Sequence, residues 1–239
     1  MARQTYLFKR GGTYYFRMGI PQDLQARFGR RELVCSLRTS EYPTASLRCA
    51  TIVKGSTIVK DSKYWVPLIA LYSGARLQEI CQLYVDDIYQ HQGVWILDIN
   101  DNGEDKSLKN QSSRRKVPIH PKLTKLGLLD FVKKQKDKQE QRLFPDISLS
   151  VDGTYSGTFS KQFGYMLRTT LNIKDNKVAF HSFRHGFTDA LRTVDTPDSV
   201  LKSIIGHGEK GATANYGSAE HLERMKSYIQ QINFPTVKL

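Results

Sequence analysis

Cysteine is scarce in this chain. Only Cys35, Cys49 and Cys81 occur among 239 residues. Their number is odd and no C-x-x-C pair exists, so a disulfide framework is excluded and a reducing cytoplasm fits. Long apolar runs are missing as well. Nothing approaches the roughly 18 residues needed to cross a bilayer. The opening MARQTYLFKRGG has no apolar core of the kind a secretory leader requires, so neither a leader nor a membrane span is expected. Acidic residues are few: 23 Asp and Glu stand against 36 Lys and Arg, a formal charge of +13. So basic a chain needs an anionic partner, and nucleic acid is the first candidate. A membrane surface is the second, but no basic amphipathic helix stands out to serve it. The rest is ordinary: 39% hydrophobic, 10% aromatic and 25% charged residues exclude a disordered or fibrous chain. The length suits one large domain or two small ones.

The charge is unevenly spread. Residues 1–55 carry ten Lys and Arg against three acidic residues, hence +7; residues 56–239 carry 26 against 20, hence +6. The basic segment reads as its own unit. Tyr6-Leu7-Phe8 and Tyr14-Tyr15-Phe16 are aromatic strand material flanking Gly11-Gly12, a hairpin signal. Pro21 opens a short helix to Phe28, Glu32–Leu37 reads as a third strand, and Thr39 or Ser40 caps a helix running to Ala50. Lys9, Arg10, Arg17, Arg30, Arg31 and Arg38 interleave with these elements, so a small basic sheet is expected to lay a face on DNA.

Beyond the weak linker KGSTIVKD the texture becomes helical. A first apolar helix runs from Tyr64 to a break at Ser73-Gly74, and a second from Arg76 to Leu83. Short strands are expected at Ile88, Val94–Leu97 and Val117–Ile119, and further helices at about 121–138, 158–171, 181–193, 197–205 and 219–232. The expected architecture is mainly α with a small antiparallel β meander (residues 56–239), preceded by a small basic α+β module (residues 1–55).

Cleaving a phosphodiester without a metal takes a nucleophile, a cationic cradle for the non-bridging oxygens and an acid for the departing 5′ hydroxyl. Arginine suits the cradle, because its planar fork gives bidentate donors that are always charged. Arg76 lies at the break between two apolar helices. His181-Ser-Phe-Arg184-His185 opens another helix, where a spacing of three puts His181 and Arg184 on one face. Ile204-Ile-Gly-His207-Gly is a helix end, and Tyr216 follows nine residues after His207. His181 and His185, one turn apart, could instead be zinc ligands, but no glutamate completes an H-E-x-x-H and Arg184 sets a like charge beside the metal.

Taken in order, these segments resemble the boxes of the tyrosine recombinases (phage integrases). Gly-Ala-Arg76-x-x-Glu79 is similar to the context of their first arginine, His181-Ser-Phe-Arg184-His185 to their His-x-x-Arg box, and Gly206-His207 followed by Tyr216 to their Gly-His…Tyr box. Lys109-Asn-Gln-Ser-Ser-Arg-Arg-Lys-Val-Pro118 resembles the β-hairpin that carries their active-site lysine. The resemblance spans about residues 60–235. It implies that Tyr216 attacks the scissile phosphate, leaving a 3′-phosphotyrosine and a free 5′ hydroxyl. Arg76 and Arg184 would clamp the phosphate, His181 would help move the proton at the nucleophile, and His207 would donate a hydrogen bond. Lys109 would be the general acid, although Lys106 and Lys116 share its stretch and spacing alone does not separate them. Glu79 would support the arginines, and Arg114 and Arg115 would face a DNA groove. The resemblance implies no metal and no other cofactor.

Residues 6–30 are similar to the small N-terminal domain found ahead of some bacterial and prophage integrases, where it would contact accessory DNA sites. Family members place a core-binding domain of about 80–100 residues, an ordinary small-domain size, between that unit and the catalytic domain. Here the span between Ala50 and Tyr64 has no room for it. The expectation is therefore a site-specific recombinase acting on double-stranded DNA in integration or excision, in a shortened prophage form within a bacterial cytoplasm, at the nucleoid. Its self-association on DNA, tetrameric in the family, would be weakened. The alternative is a non-catalytic DNA-binding protein or decayed integrase that occupies recombination sites. The apolar stripe Leu222, Met225, Tyr228, Ile229 and Ile232 would either fold onto its own core or, as the resemblance implies, dock on a neighbouring protomer.

Overall fold

The computed structural model describes residues 7–19, 32–36, 40–41, 60–170, 173–175, 177–206 and 218–234. The chain divides into two compact units, Met1–Val59 and Lys60–Leu239.

In the first unit, β1 (Leu7–Arg10), β2 (Thr13–Gly19) and β3 (Glu32–Ser36) form an antiparallel sheet in that order. Arg10 pairs with Thr13 across a two-residue Gly11-Gly12 loop, and both glycines have positive φ, the backbone twist that a tight hairpin demands. Lys9 and Arg10 are exposed on β1, and the Lys9 ammonium sits 5.2 Å from the ring centre of its cross-strand neighbour Tyr14. Arg17 stands opposite Val34 in the ladder. Arg30, Arg31, Arg38 and the helices expected at 21–28 and 40–50 fall outside the described residues, apart from Ser40 and Glu41.

The second unit is mostly helical around one small sheet. Helix α1 (Ser62–Ser73) starts where the Asp61 carboxylate accepts the Lys63 N–H, and it stops at Gly74 in the left-handed conformation. Its apolar residues reach round most of its circumference, so it is a core helix, with Trp65, Val66 and Ala70 fully buried. Helix α2 (Leu77–Cys81) follows at once. Strands β4 (Ile88–His91), β5 (Val94–Ile99) and β6 (Arg115–Pro118) make an antiparallel meander in chain order, with Ile99 opposite Arg115. One helix was expected over residues 121–138. Two form instead, α3 (Pro121–Lys125) and α4 (Leu128–Asp137), because Gly127 at φ +91° turns the backbone out of the helical path.

Helix α5 (Ser156–Tyr165) runs into a π turn (Met166–Thr170). Its first turn is anchored from α2, whose Gln78 Oε1 accepts the Ser156 N–H at 2.9 Å. Helices α6 (Ser182–Thr193), α7 (Asp198–Ile205) and α8 (Ala219–Ile229) complete the unit. Among the described residues no helix is long and apolar enough to cross a membrane. Trp65, Ile69, Ile80, Leu83, Ile96, Phe144, Phe187 and Leu191 are buried at the centre, each stabilising the fold by about 1.5–3 kcal/mol through lost apolar surface. Leu222, Met225, Ile229 and Ile232 join the same core, with Tyr228 packed against its edge. Of the two expectations for this stripe, the structure shows the first: α8 folds it onto its own core.

Candidate active site

The site grows from one buried carboxylate. Glu79 lies in the first turn of α2, and its Oε2 accepts the backbone N–H of Arg76 at 2.8 Å. The same carboxylate takes Nη1 of Arg76 on Oε1 at 2.7 Å and Nη2 of Arg115 on Oε2 at 2.9 Å. Burial pushes the Glu79 carboxyl up, but the charge and hydrogen bonds of Arg115, joined by those of Arg76, outweigh it and hold its pKa at about 2. Arg115 is bonded through all three of its nitrogens: besides the Nη2 bond, Nε donates to the Ile204 carbonyl at 2.8 Å and Nη1 to the Ser113 carbonyl at 2.7 Å. Only 3% of Arg115 is exposed. The expectation that Arg115 faces a DNA groove is therefore corrected. It is an interior clamp joining α2, β6 and α7. The clue was available in strand alternation, which puts Arg115 on the same face as Val117 and Arg114 on the other. Arg114 is indeed half exposed, and its guanidinium reaches Asp101 and Asn102.

Arg184 enters from the first turn of α6. Its Nη1 donates to the Gly74 carbonyl at 2.6 Å and its Nη2 to the Ile205 carbonyl at 2.5 Å. Burial, followed by the nearby charges of Arg76 and Arg115 and opposed by Glu79, lowers its pKa to about 10. It stays a cation at neutral pH. Arg76 is more open, with 20% of its side chain exposed, and its Nη1 also donates to Ser113 Oγ at 3.2 Å. His181 holds the N-cap position of α6, its ring edge-on to that of His185 with centres 4.8 Å apart. Burial holds its pKa below the usual histidine value, and the charges of His185, Arg184, Arg76 and Lys109 act in the same direction. The imidazole is therefore neutral at pH 7 and able to take a proton.

The lysines of the 101–116 stretch separate by environment. Lys106 is buried, with Nζ 2.8 Å from Asp87 Oδ2 and 2.7 Å from Asn100 Oδ1. Lys116 projects from β6 to within 3.3 Å of His91 Nε2. Lys109 is exposed, and its charge is among those felt at His181. It lies between the strands rather than on a paired hairpin, just before a single 3-10 turn at Gln111–Ser113. His207 and Tyr216 fall outside the described residues.

The break that brings Arg76 and Arg184 together depends on Gly74. Its φ is +65°, and a Cβ there would lie 2.4 Å from Cδ1 of Phe187 on α6. Gly74→Ala is expected to cost about 2–4 kcal/mol, combining overpacking with left-handed strain. Urea denaturation at pH 7 checks it, and a loss under 0.5 kcal/mol would show that Phe187 yields freely.

A model of the phage integrase family matches residues 37–222, and one of a domain of unknown function, DUF6538, matches residues 6–58. No curated protein matches the chain. Solved structures similar to it include the following two. One is the Tn1549 transposon integrase in complex with a circular intermediate DNA: 21% identity, 61% of this chain and 51% of that one covered, TM-score 0.45. The other is the Tn1549 integrase with transposon right end DNA: 20% identity, 67% and 57% covered, TM-score 0.43. The chain thus spans little more than half the length of these structures.

Proposed function

The chain belongs to the phage integrase family, and on that premise we propose that it is a site-specific recombinase that breaks and rejoins double-stranded DNA through a 3′-phosphotyrosine on Tyr216. The observation that supports this reading best is the gathering of cations at His181, which feels the charges of Arg184, Arg76 and Lys109, while the neighbouring carboxylate of Glu79 is already committed to Arg76 and Arg115. Such a cluster is under-neutralised, and a phosphodiester is the anion that would complete it.

In the proposed reaction the Tyr216 oxygen attacks phosphorus, a new P–O bond forms and the P–O5′ bond breaks. The phenol proton passes to neutral His181, and Lys109 supplies the proton that O5′ takes up. Arg76 and Arg184 meet the charge that builds on the non-bridging oxygens, and His207 adds a hydrogen bond. One phosphoester replaces another, so the reverse attack by a 5′ hydroxyl rejoins the strand without any outside energy source. The first unit, with exposed Lys9 and Arg10, would add contacts to flanking duplex, as would Arg17, Arg30, Arg31 and the half-exposed Arg114. We read the chain as a shortened, prophage-type integrase whose association on DNA is weaker than the family's tetramer.

The test is a nicked duplex selected by the full chain from a randomised pool. Adduct that survives denaturing electrophoresis supports the recombinase; tight binding with no adduct would replace it with a site-occupying DNA binder. On the same duplex, Lys109→Ala is expected to slow cleavage about 10²–10⁴-fold, the usual worth of a general acid. Sulfur in place of the leaving O5′ departs as a thiolate without needing a proton, since thiols ionise near pH 8.5. The variant should then cleave that substrate within a few-fold of the parent rate. Failure of sulfur to restore it would remove Lys109 from the acid role.

A further inference from the structure

Strand β5 ends at Ile99 and β6 begins opposite it at Arg115, so residues 100–114 leave the sheet and return as one long connection. Connections of this length normally wander. This one is held at both feet. On the trailing side, Asn110 Oδ1 accepts the hydroxyls of Ser112 and Ser113, and Ser113 Oγ accepts from Arg76. On the leading side the Asp105 carboxylate accepts from the Tyr84 hydroxyl, from Nη2 of Arg142, and from the Tyr155 hydroxyl at 2.9 Å. The Arg142 guanidinium lies over both rings, 3.6 Å from the ring centre of Tyr155 and 5.4 Å from that of Tyr84. Next in the chain, the Lys106 ammonium lies 4.7 Å from the Tyr84 ring centre, and the Ser107 N–H donates to Gln82 Oε1 at 3.0 Å.

We propose that Asp105, gripped by Tyr84, Arg142 and Tyr155, is a positioning residue that latches this connection so that Lys109 is presented to the arginine and histidine cluster. The inference rests on the reading of Lys109 as the proton donor. Four chain segments meet at one carboxylate that is 36% exposed at its side chain. What the meeting does accomplish is to fix the backbone four residues ahead of Lys109, while Asn110 fixes it one residue behind. The short arc that carries the lysine is therefore held at both ends, by Tyr84, Arg142 and Tyr155 on one side and, through Ser113, by Arg76 on the other. The latch is charged at neutral pH: burial works against it, but the bonds from Tyr84, Arg142 and Tyr155 hold the Asp105 carboxyl at about 2, and Tyr84, bonded to it, is pushed up to about 12.

The full chain and its Asp105→Ala and Tyr155→Phe variants are compared by two measurements. The first is amide hydrogen exchange over residues 104–113. The second is single-turnover cleavage of the selected nicked duplex, with oxygen or with sulfur leaving at the scissile position mapped by the parent chain. The latch predicts at least tenfold faster exchange in that window for Asp105→Ala and little change in α1 or β5. It also predicts at least a tenfold loss with the oxygen substrate against less than twofold with sulfur. Tyr155→Phe, which keeps the ring under Arg142, should show a weaker form of the same pattern. Equal losses on both substrates, or unchanged exchange, would overturn the latch, because a residue that merely stabilises the fold would not discriminate between leaving atoms. A parent chain that forms adduct with neither substrate overturns the recombinase reading instead, and the exchange comparison then still decides whether Asp105 orders the connection.

Discussion

Glu79→Gln should lower the stability of the second unit by about 3–5 kcal/mol, the cost of removing one partner from a buried ion pair. Arg115 would keep its charge in the interior with only carbonyl oxygens to answer it, and the new amide would turn a donor toward a guanidinium. The arginines hold the Glu79 carboxyl at about 2 in the folded chain, below its ordinary value of about 4.5. Its contribution is therefore complete above the unfolded value and is lost as pH falls from about 4.5 toward 2, where the unfolded chain binds the proton first. Urea midpoints measured across that window should fall steeply for the parent and stay flatter for Glu79→Gln. Adding Arg115→Met should recover part of the loss, since both buried charges are then gone. A variant as stable as the parent at pH 7 would mean that water reaches the pair and that the arginines are placed by something else.

Tyr216→Phe should abolish the covalent adduct and leave binding to duplex within about twofold. The change removes one oxygen and keeps the ring. Losing a nucleophile costs on the order of a millionfold in rate, far below detection in a denaturing gel. Binding rests on phosphate contacts by cations that the change does not touch. The two readouts have to separate. If binding falls together with adduct, the ring itself contacts DNA; if the Phe variant still forms adduct, the nucleophile lies elsewhere. Tyr228 is the next tyrosine to test, although it is half-buried against the core on α8.

Elements with local signals were legible in the sequence. The Gly11-Gly12 hairpin, the end of α1 at Gly74, the three strands of the meander and the opening of α6 at His181 each follow from turn chemistry, capping or periodicity inside a dozen residues. The break at Gly127 escaped because a single glycine in an otherwise helical pattern is a weak stop. Arg115 was placed with Arg114 because a run of charge reads as a surface until strand alternation is applied to it. The Asp105 latch could not be seen at all. Tyr84, Asp105, Arg142 and Tyr155 come together only when the sheet, α5 and the segment before α5 have packed, and no spacing rule links them. In the site, Arg76, His181 and Arg184 were marked by helix starts and by the family's boxes. Glu79 was marked by the same family context as Arg76, and its Oε2 accepts the Arg76 N–H.

Arg184 donates to the carbonyls of Gly74, at the end of α1, and of Ile205, at the end of α7. Its guanidinium thus sits on the negative ends of two helices at once, satisfying acceptors that the helices themselves cannot. The arginine that would grip the phosphate is also a staple of the architecture, and the two duties cannot be shed separately. A descendant gene that had lost its chemistry would remain under selection to keep Arg184 for as long as its product had to fold. Lys109, exposed on its connection, carries no such obligation. On the proposed mechanism, the arginine is expected to outlast the activity among diverged copies of this chain, and the lysine to be lost with it.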